Sequence, residues 1–369
     1  MGSAVVGELR GVSSVSSNRA RLWAAPPVIV ICMFLVVLLP DSAYASSGIV
    51  WQFTCPNTGP TAVSAPPGVT FSAIAAGNGH DLALDTTGQA WAWGSNAFGQ
   101  LGNGHHGGSK ASPVRVSMPA GVTFTELSAG TGLSLALDSG GRVWAWGADY
   151  EYRFVSDTPV PAPLPQRIRF QAITVGTFDS ATALSRKGIP WSWAGVDGAS
   201  TQVTMPSGLA FTEVANGDFH TVALTASGAA WAWGYNRYGQ LGNRSEVGSS
   251  VPVPVYMPPG VTFTAISAGE DSSFAVGSNG VAYGWGDNSR GEVGTGSDMH
   301  SYHRPVPVQM PAGISFSAIS SKDFAVGALA TDGSAWYWGN CSNVPSATPM
   351  PPEVQFVSVA SAGNVLYLS

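Results

Sequence analysis

Charged residues are scarce in this sequence. Of its 369 residues, 16 are Lys or Arg and 22 are Asp or Glu, so only 10% are charged and the formal net charge is −6. An ordinary soluble domain has about 25% charged residues. An acidic chain without a basic run lacks the clustered cations that release counterions from a phosphate backbone. We therefore expect no nucleic-acid partner.

Helical periodicity is also missing. Short apolar runs, such as residues 81–84 and 90–93, have the length of strands and show no period of 3.6 residues. Runs of this kind, separated by Gly and Pro, are typical of β-strands. Gly and Pro are abundant, with 46 and 26 residues, and 13 residues are Trp. A chain this aromatic has enough apolar surface to bury, which argues against disorder.

Long hydrophobic runs are confined to the N-terminus. Arginines precede an uncharged stretch over residues 22–39, whose apolar core is too short to span a bilayer, and Ala-Tyr-Ala at 43–45 has the form that a signal peptidase accepts. We expect a cleaved secretory signal over residues 1–45 and a domain over residues 46–369 that is secreted or held in the cell envelope. An uncleaved membrane anchor is the alternative.

Two motifs each occur seven times. The first is an aromatic residue, two residues, a branched apolar residue and small residues, and it begins at Phe71, Phe124, Phe170, Phe211, Phe263, Phe316 and Phe356. The second is Gly, two residues and an aromatic pair, and its pair begins at Trp51, Trp91, Trp144, Trp191, Trp231, Tyr283 and Trp336. Glycine at this place is typical of a tight hairpin turn with φ > 0. Because the pairs recur in every repeat, we expect them to pack between sheets rather than to bind carbohydrate.

One repeat is divided between the two ends of the chain. The motif at Phe356 has no aromatic pair after it, and the pair at Trp51 has no Phe motif before it. Each half therefore completes the other. Repeats of about 40–50 residues built from short strands are propeller blades. The sequence predicts an all-β, seven-bladed β-propeller closed by pairing of the N- and C-terminal strands, which removes open sheet edges.

The repeat resembles that of the regulator of chromosome condensation family. The residues that carry the resemblance are Ala76-Gly77, Ala83-Leu84, Gly88, Trp91-Ala92-Trp93-Gly94, Asn96 and Gly99-Gln100-Leu101-Gly102-Asn103, with a second copy between Ala215 and Asn243. The resemblance implies a seven-bladed propeller closed by both termini. Its founding member is a nuclear GTPase exchange factor that binds chromatin, and its secreted bacterial members include inhibitors of β-lactamases that bind through loops on one face.

Residues with catalytic or metal-binding chemistry form no recognisable set. The sequence has no His-Glu-x-x-His, Gly-x-Ser-x-Gly or phosphate-loop motif. His105, His106, His300 and His303 lack third and fourth ligands at suitable spacing, so we expect neither a metal nor a cofactor. His80 and His220 occupy matching repeat positions, which predicts a structural role in which a ring nitrogen bonds a loop backbone group.

Our leading interpretation is an exported, non-enzymatic scaffold that binds a protein partner, with inhibition of an extracellular enzyme as one role. A membrane partner is expected only if the signal segment is retained. The first alternative is a cell-envelope enzyme or carbohydrate-binding propeller that uses the channel or the rim. The second, a GTPase exchange factor, rests on family analogy alone.

Three repeats contain an insertion after the aromatic pair, at residues 99–102, 239–242 and 291–294, and these insertions share one rim of the ring. Aromatic and Arg side chains on exposed loops are common at protein interfaces. We predict partner binding by the residues that interrupt the repeat in this region: Tyr150, Tyr152, Arg153, Phe154, Tyr235, Arg237, Tyr238 and Arg290. Because Phe98 and Tyr238 occupy equivalent places, packing is the alternative for part of this set.

Cysteine is rare, with three residues in all. Cys32 lies in the signal segment, while Cys55 and Cys341 follow the aromatic pairs of the divided repeat and of the repeat before it. An oxidising compartment permits a disulfide between them, which would tie the N-terminal strand into the ring. Two free buried thiols are the alternative.

Overall fold

The protein is described by a computed structural model over residues 48–54, 59–148, 153–194, 199–297, 299–349, 354–362 and 364–369. These residues form seven antiparallel sheets of four strands each. In the same ranges there is no helix that could span a membrane. The all-β, seven-bladed propeller is thereby confirmed. The predicted signal at residues 1–45 lies outside the described residues.

Each sheet is one blade, and we number the blades from the first complete repeat. Blade 7 combines β1 (Val50–Phe53) and β2 (Thr61–Ala62) with two C-terminal strands given below. Blade 1 consists of β3 (Phe71–Ala76), β4 (His80–Asp85), β5 (Ala90–Ser95) and β6 (Ser109–Arg115). Blade 2 consists of β7 (Phe124–Ala129), β8 (Leu133–Asp138), β9 (Val143–Ala148) and β10 (Phe154–Pro161). Blade 3 consists of β11 (Phe170–Val175), β12 (Ser180–Ser185), β13 (Pro190–Ala194) and β14 (Thr201–Gln202). Blade 4 consists of β15 (Phe211–Asn216), β16 (His220–Thr225), β17 (Ala230–Gly234) and β18 (Ser249–Pro254). Blade 5 consists of β19 (Phe263–Ala268), β20 (Ser272–Gly277), β21 (Ala282–Asp287) and β22 (Ser301–Pro307). Blade 6 consists of β23 (Phe316–Lys322), β24 (Ala325–Ala330), β25 (Ala335–Gly339) and β26 (Ser342–Ala347). The C-terminal strands are β27 (Ser358–Ala362) and β28 (Asn364–Leu368).

In blades 1 to 6, the hairpin between the second and third strands turns at the repeated glycine, and in blade 7 the matching Gly48 precedes the N-terminal strand β1. All seven of these glycines have φ between 64° and 81°, as the motif predicts: Gly48, Gly88, Gly141, Gly188, Gly228, Gly280 and Gly333. A Cβ on Gly88 would also lie 2.9 Å from the carbonyl oxygen of Phe124 in the next blade. The glycine is therefore required both by the turn and by the close approach of the neighbouring sheet.

The hydrophobic core lies between neighbouring blades. Phe124 and Trp146 of blade 2 stack with ring centroids 6.2 Å apart and pack against Leu82 and Leu84 of blade 1. Phe263 and Trp285 of blade 5 repeat this stack at 6.1 Å. The predicted packing role of the aromatic pairs is confirmed at these positions. Each large ring adds buried apolar area to an inter-blade contact.

The two ends of the chain close the ring in one sheet. Strand β1 pairs antiparallel with β28, with Val50 opposite Leu368 and Phe53 opposite Val365. The amide of Gly48 donates to the carbonyl oxygen of Ser369 at 2.7 Å. The innermost strands of successive blades contact one another around the whole circle, and together they line a central channel. The predicted closure by terminal strands is therefore observed.

Candidate functional site

The three insertion loops are buried between blades. Leu101, Leu241 and Val293 at their centres have no exposed surface. The indole N–H of Trp146 in blade 2 donates to the carbonyl oxygen of Gln100 in blade 1 at 2.9 Å. Equivalent bonds join Trp285 to Gln240 and Trp338 to Glu292. These loops therefore join blade 1 to blade 2, blade 4 to blade 5 and blade 5 to blade 6, and they do not themselves form an open binding surface.

His80 and His220 take part in the same inter-blade contacts. The Nε2 atom of His80 lies 2.8 Å from the Ser134 hydroxyl of the next blade, and that hydroxyl donates to Gln100 at 2.8 Å. His220 and Ser273 repeat the arrangement, with Gln240 as the last acceptor. Burial lowers the pKa of both histidines to about 3, so the rings are neutral at pH 7. The structural role is confirmed: each ring bonds a serine hydroxyl of the next blade, and the expected backbone contact is present only at His220, with Ser272.

The predicted partner-binding residues are spread around the rim. Tyr150 and Tyr152 lie outside the described residues. Phe154 is 53% exposed and Tyr235 is 42% exposed. The other four comprise three exposed side chains and one half-buried ring: Arg153, Arg237, Arg290 and Tyr238.

Three of the rim residues contact neighbours outside the predicted set. The Phe154 ring lies 5.8 Å from the ring of His106. The amide of Tyr235 donates to Phe219 in the adjacent turn. The Arg290 guanidinium lies 3.8 Å from the ring centroid of Phe324. Two of these three contacts lead from the rim towards the channel.

One end of the central channel opens into a cavity of about 450 Å³, which we call the channel mouth. It is formed by the turns between the first and second strands of several blades. Sequence reasoning did not identify this site. Its wall contains four carboxylates and three phenylalanine rings: Asp179, Asp218, Glu270 and Asp323, with Phe98, Phe178 and Phe324.

Two rings at the channel mouth stack on each other while remaining exposed. Phe178 of blade 3 is 39% exposed and Phe219 of blade 4 is 59% exposed. Their centroids are 5.2 Å apart and their planes differ by 22°. Both rings, like Phe324, stand eight residues after the first Phe of their repeats. A Phe at this position of the repeat marks the site in the sequence, because the other repeats have Gly, Asp or Asn there.

The turns at the mouth have left-handed backbone at non-glycine residues. Asp179 has φ = 57° and Asp323 has φ = 49°. The Asp179 carboxylate accepts the amide of Thr131 at 2.9 Å, and the Thr177 hydroxyl donates to Asp323 at 2.8 Å. Such strained residues persist where surrounding contacts hold them, and they concentrate at functional sites.

Asp218 is the least satisfied group of the mouth. It is 1% exposed, and neither of its carboxylate oxygens accepts a hydrogen bond. Burial raises the pKa of Asp218 to about 7, although the nearby Thr177 hydroxyl lowers it. The single hydrogen of that hydroxyl is donated to Asp323. The neighbouring carboxylate of Glu270 further raises the Asp218 pKa.

Lys322 closes the channel below the mouth. Its Nζ crosses from blade 6 to donate to Ala129 of blade 2 and, at 3.2 Å, to Val175 of blade 3. Burial lowers the pKa of this ammonium group, against the neighbouring carboxylates that raise it. Lys322 stands where Gly77 stands in blade 1, so this departure from the repeat was also visible in the sequence. The Lys322 side chain therefore crosses the channel beneath the mouth.

Two further expectations concern metal and cysteine. Across the described ranges, no group of three His, Cys, Asp or Glu side chains could hold a metal ion. His106 instead lies 3.2 Å from Asp157, and His303 lies 3.5 Å from Glu246. Cys341 is disulfide-bonded. Cys55 is outside the described residues, so its pairing with Cys341 stays a prediction.

Comparison with known proteins places the chain among propellers of one type. Residues 47–358 match the family of RCC1-like domains. The ultraviolet-B receptor UVR8 of Arabidopsis thaliana is 27% identical over 271 residues, which cover 68% of this chain and 61% of UVR8. The mitochondrial RCC1 domain-containing protein RUG3 of the same plant is 26% identical over 286 residues, which cover 78% of this chain and 57% of RUG3. The chain thus spans less than two thirds of the length of either relative.

Solved structures show the same fold at low sequence identity. In a crystal structure of Kap60 bound to yeast RCC1 (Prp20), the match has a TM-score of 0.78, 18% identity and 96% coverage of both chains. Human WBSCR16 matches with a TM-score of 0.75 and 19% identity, covering 88% of this chain and 99% of its own. With the family match extending over most of the propeller, we conclude that the chain belongs to the family of RCC1-like domains.

Proposed function

We propose that this chain is a non-enzymatic, protein-binding propeller that acts outside the cytoplasm and binds its partner at the channel mouth. The observation that carries the proposal is the stacked ring pair of Phe178 and Phe219, in which both rings remain exposed to water. Water contact with large apolar rings is unfavourable, and a partner surface that covers them gains hydrophobic free energy.

Hydrogen bonds to other blades fix the turn that carries Phe178. Phe178 lies between Thr177, whose hydroxyl donates to Asp323, and Asp179, whose carboxylate accepts the amide of Thr131. These bonds join the turn of blade 3 to blades 6 and 2. A ring fixed in this way loses little conformational entropy when a partner binds, which is typical of the residues that dominate binding energy.

Relatives of the same architecture support a protein partner. One similar structure is of Kap60 bound to yeast RCC1 (Prp20), and a second concerns the binding of Prp20p to Gsp1p and histones. Another, matching with a TM-score of 0.53 and 9% identity, is of YCF48 bound to a D1 peptide. Export rests on the signal pattern of residues 1–45. Inhibition of an extracellular enzyme is the role that we favour, because a firm aromatic surface suits the obstruction of a partner's cleft.

Capture from the extracellular fraction of the producing cell tests the proposal. The full chain is compared with a Phe178→Ser/Phe219→Ser double variant, and we expect at least a tenfold loss of the captured partner. Val247→Ser is the matched control, because Val247 is also apolar and is 75% exposed in an outer loop. Equal capture by the double variant and the wild type, with unchanged circular dichroism, would remove the channel mouth as the binding site.

The rim predicted from sequence is tested in the same assay. A Tyr235→Ala/Arg237→Ala variant removes two exposed rim side chains without touching the ring pair. We expect it to retain most of the capture. Loss of capture by this variant, with normal capture by the double Phe variant, would move the binding surface from the mouth to the rim.

A further inference from the structure

We propose that the channel mouth takes up one lysine or arginine side chain of the partner protein, with its cationic group against Asp218 and its apolar stem beside the phenylalanine rings. This inference rests on the proposed function, because it names the chemical group that the partner inserts. Asp218 is 1% exposed and lines the cavity, and neither of its oxygens accepts a hydrogen bond. A buried carboxylate without donors is costly, and a cationic N–H donor removes that cost.

Three other charged side chains in or below the mouth already have partners within the protein. Asp179 accepts the amides of Thr131 and Leu133. Asp323 accepts the hydroxyl of Thr177, and Lys322 donates to two carbonyl oxygens of blades 2 and 3. Asp218 differs from them because it is a buried carboxylate without a donor, which an incoming N–H group can supply.

The charge of the mouth also favours a cation. Four carboxylates line the cavity: Asp179, Asp218, Glu270 and Asp323. The cations near these carboxylates are Lys322, which lies in the channel below, and Arg290, whose positive charge acts on Glu270 from the rim. Carboxylates outnumber the cations, so the potential in the mouth attracts a positive group.

The shape and the walls of the mouth suit an organic cation better than a metal ion. A calcium ion needs six to eight oxygen ligands at about 2.3–2.6 Å. No group of three acidic, His or Cys side chains among the described residues is arranged for a metal. The Arg290 guanidinium already lies over the Phe324 ring at 3.8 Å, so a cation and a ring of this mouth meet at cation–π distance.

Small basic probes test the inference directly. N-acetyl-lysine amide and N-acetyl-arginine amide are titrated into the full chain, and the amide NMR shifts of Thr177, Phe178 and Phe219 are followed. N-acetyl-norleucine amide is the neutral control, and calcium chloride is the metal control. We expect saturable shifts with at least one basic probe, weak or no shifts with norleucine amide, and no saturation by calcium.

Variants assign the site to Asp218. We expect Asp218→Asn, which keeps the shape and removes the charge, to weaken probe binding by about tenfold or more. Glu246→Gln removes the same charge from a side chain that is 63% exposed, and we expect unchanged binding. Asp323→Asn is a second variant, since Asn accepts positive φ and can still receive the Thr177 hydrogen. We expect it to weaken binding less than Asp218→Asn.

Several outcomes would overturn the inference. Norleucine amide binding as tightly as the basic probes would make the mouth an apolar pocket. Unchanged binding by the folded Asp218→Asn and Asp323→Asn variants would remove the carboxylates from recognition. Saturation of the same amides by calcium at lower concentration than the basic probes would make the mouth a metal site.

The inference and the proposed function fail separately. If the probes bind through Asp218 but the double Phe variant captures the partner normally, the proposed binding face is wrong and the cation pocket stands. If capture needs the ring pair but the probes ignore Asp218, the binding face stands and the cation pocket is wrong.

Discussion

The insertion loops and the turns of the channel mouth lie on the same face of the propeller, yet they are opposite in character. In an antiparallel blade, the turn after the first strand and the loop after the third leave at the same end of the sheet. The centre of an insertion loop, such as Leu241, is completely buried, whereas Phe219 in a neighbouring turn is 59% exposed.

The two regions differ because they meet different surroundings. Every insertion loop packs against the same kind of surface, a Trp of the next blade, so the same short sequence serves three times. A turn at the mouth meets mainly the channel opening and can differ from blade to blade. The repeated residues of the insertion loops join neighbouring blades, and residues that depart from the repeat line the channel mouth.

Among changes within these two regions, a methyl group added to an insertion loop should have the largest effect on stability. Gly242 has φ = 64°, and a Cβ there would lie 2.7 Å from the indole nitrogen of Trp285. We expect Gly242→Ala to lower the free energy of unfolding by about 2–4 kcal/mol, measured by urea denaturation. Gly107→Ala has a similar backbone strain at φ = 91° but open space around the Cβ, so we expect about 1 kcal/mol. Equal losses would mean that contact with the Trp is unimportant.

Removal of the buried Ser273 hydroxyl, which joins two blades, should have the next largest effect on stability. Ser273→Ala leaves the Nε2 atom of His220 without its serine partner and removes one of the two donors to the carbonyl oxygen of Gln240, which keeps the indole N–H of Trp285. We expect a loss of about 1–3 kcal/mol in the free energy of unfolding. Ser134→Ala, its counterpart beside His80, should lose a similar amount, whereas Ser72→Ala in an exposed position should lose little. Clearly unequal losses for the two buried serines would show that the repeated contacts are not energetically equivalent.

The Asp218 carboxylate should lower the free energy of unfolding by an amount that depends on pH. Burial raises the pKa of Asp218 to about 7 in the folded protein, whereas an Asp in the unfolded chain has a pKa of about 4, so the unfolded chain loses this proton first as pH rises. Between about pH 4 and pH 7, the native protein binds more protons than the unfolded chain, and stability falls. We expect Asp218→Asn to raise the free energy of unfolding at pH 8 by about 1–3 kcal/mol and to change it little at pH 4.

Urea denaturation of both forms at the two pH values measures this difference. The other titrating groups stay the same in the two chains. Those that face Asp218 are Glu270, Asp271, Asp323 and Lys322. A variant that is more stable by the same amount at pH 4 and pH 8 would contradict the ionisation cost at the mouth.

Removal of an exposed ring should have the smallest effect on stability. We expect Phe219→Ala to change the free energy of unfolding by about 0.5 kcal/mol or less. Phe211, eight residues earlier in the same blade, is 2% exposed and lies in the core cluster with Trp233, so Phe211→Ala should lose about 3–5 kcal/mol. If thermal unfolding shows a comparable loss for Phe219→Ala, the ring serves the fold and not a partner.

The blade could be predicted in detail because it depends on residues that are close in sequence. The positive φ of Gly88, the pairing of the strands around it and the burial of Trp93 follow from one motif. Closure was predictable for the same reason, since β1 and β28 are two halves of that motif. The acceptor of His80 was not, because Ser134 belongs to another blade.

The candidate site was only partly predictable. Tyr235 and Arg290 interrupt the repeat on exposed loops, as expected, and they contact Phe219 and Phe324 at the mouth. The repeat also shows Lys322 at a position where blade 1 has a glycine, and it shows the three Phe rings of the mouth at one shared position. Nothing local connects Thr177 with Asp323, which is 146 residues away.

The repeated motifs alone are enough to establish the strands, their hairpins and the number of blades, because each depends on short-range sterics and on burial of one sheet face. The closed ring decides which departures from the repeat meet. It brings Asp179, Asp218, Glu270 and Asp323 of four different blades to one opening and places Lys322 beneath them. Closure joins residues distant along the chain, so the unpaired carboxylate and its surrounding rings exist only once the circle is complete.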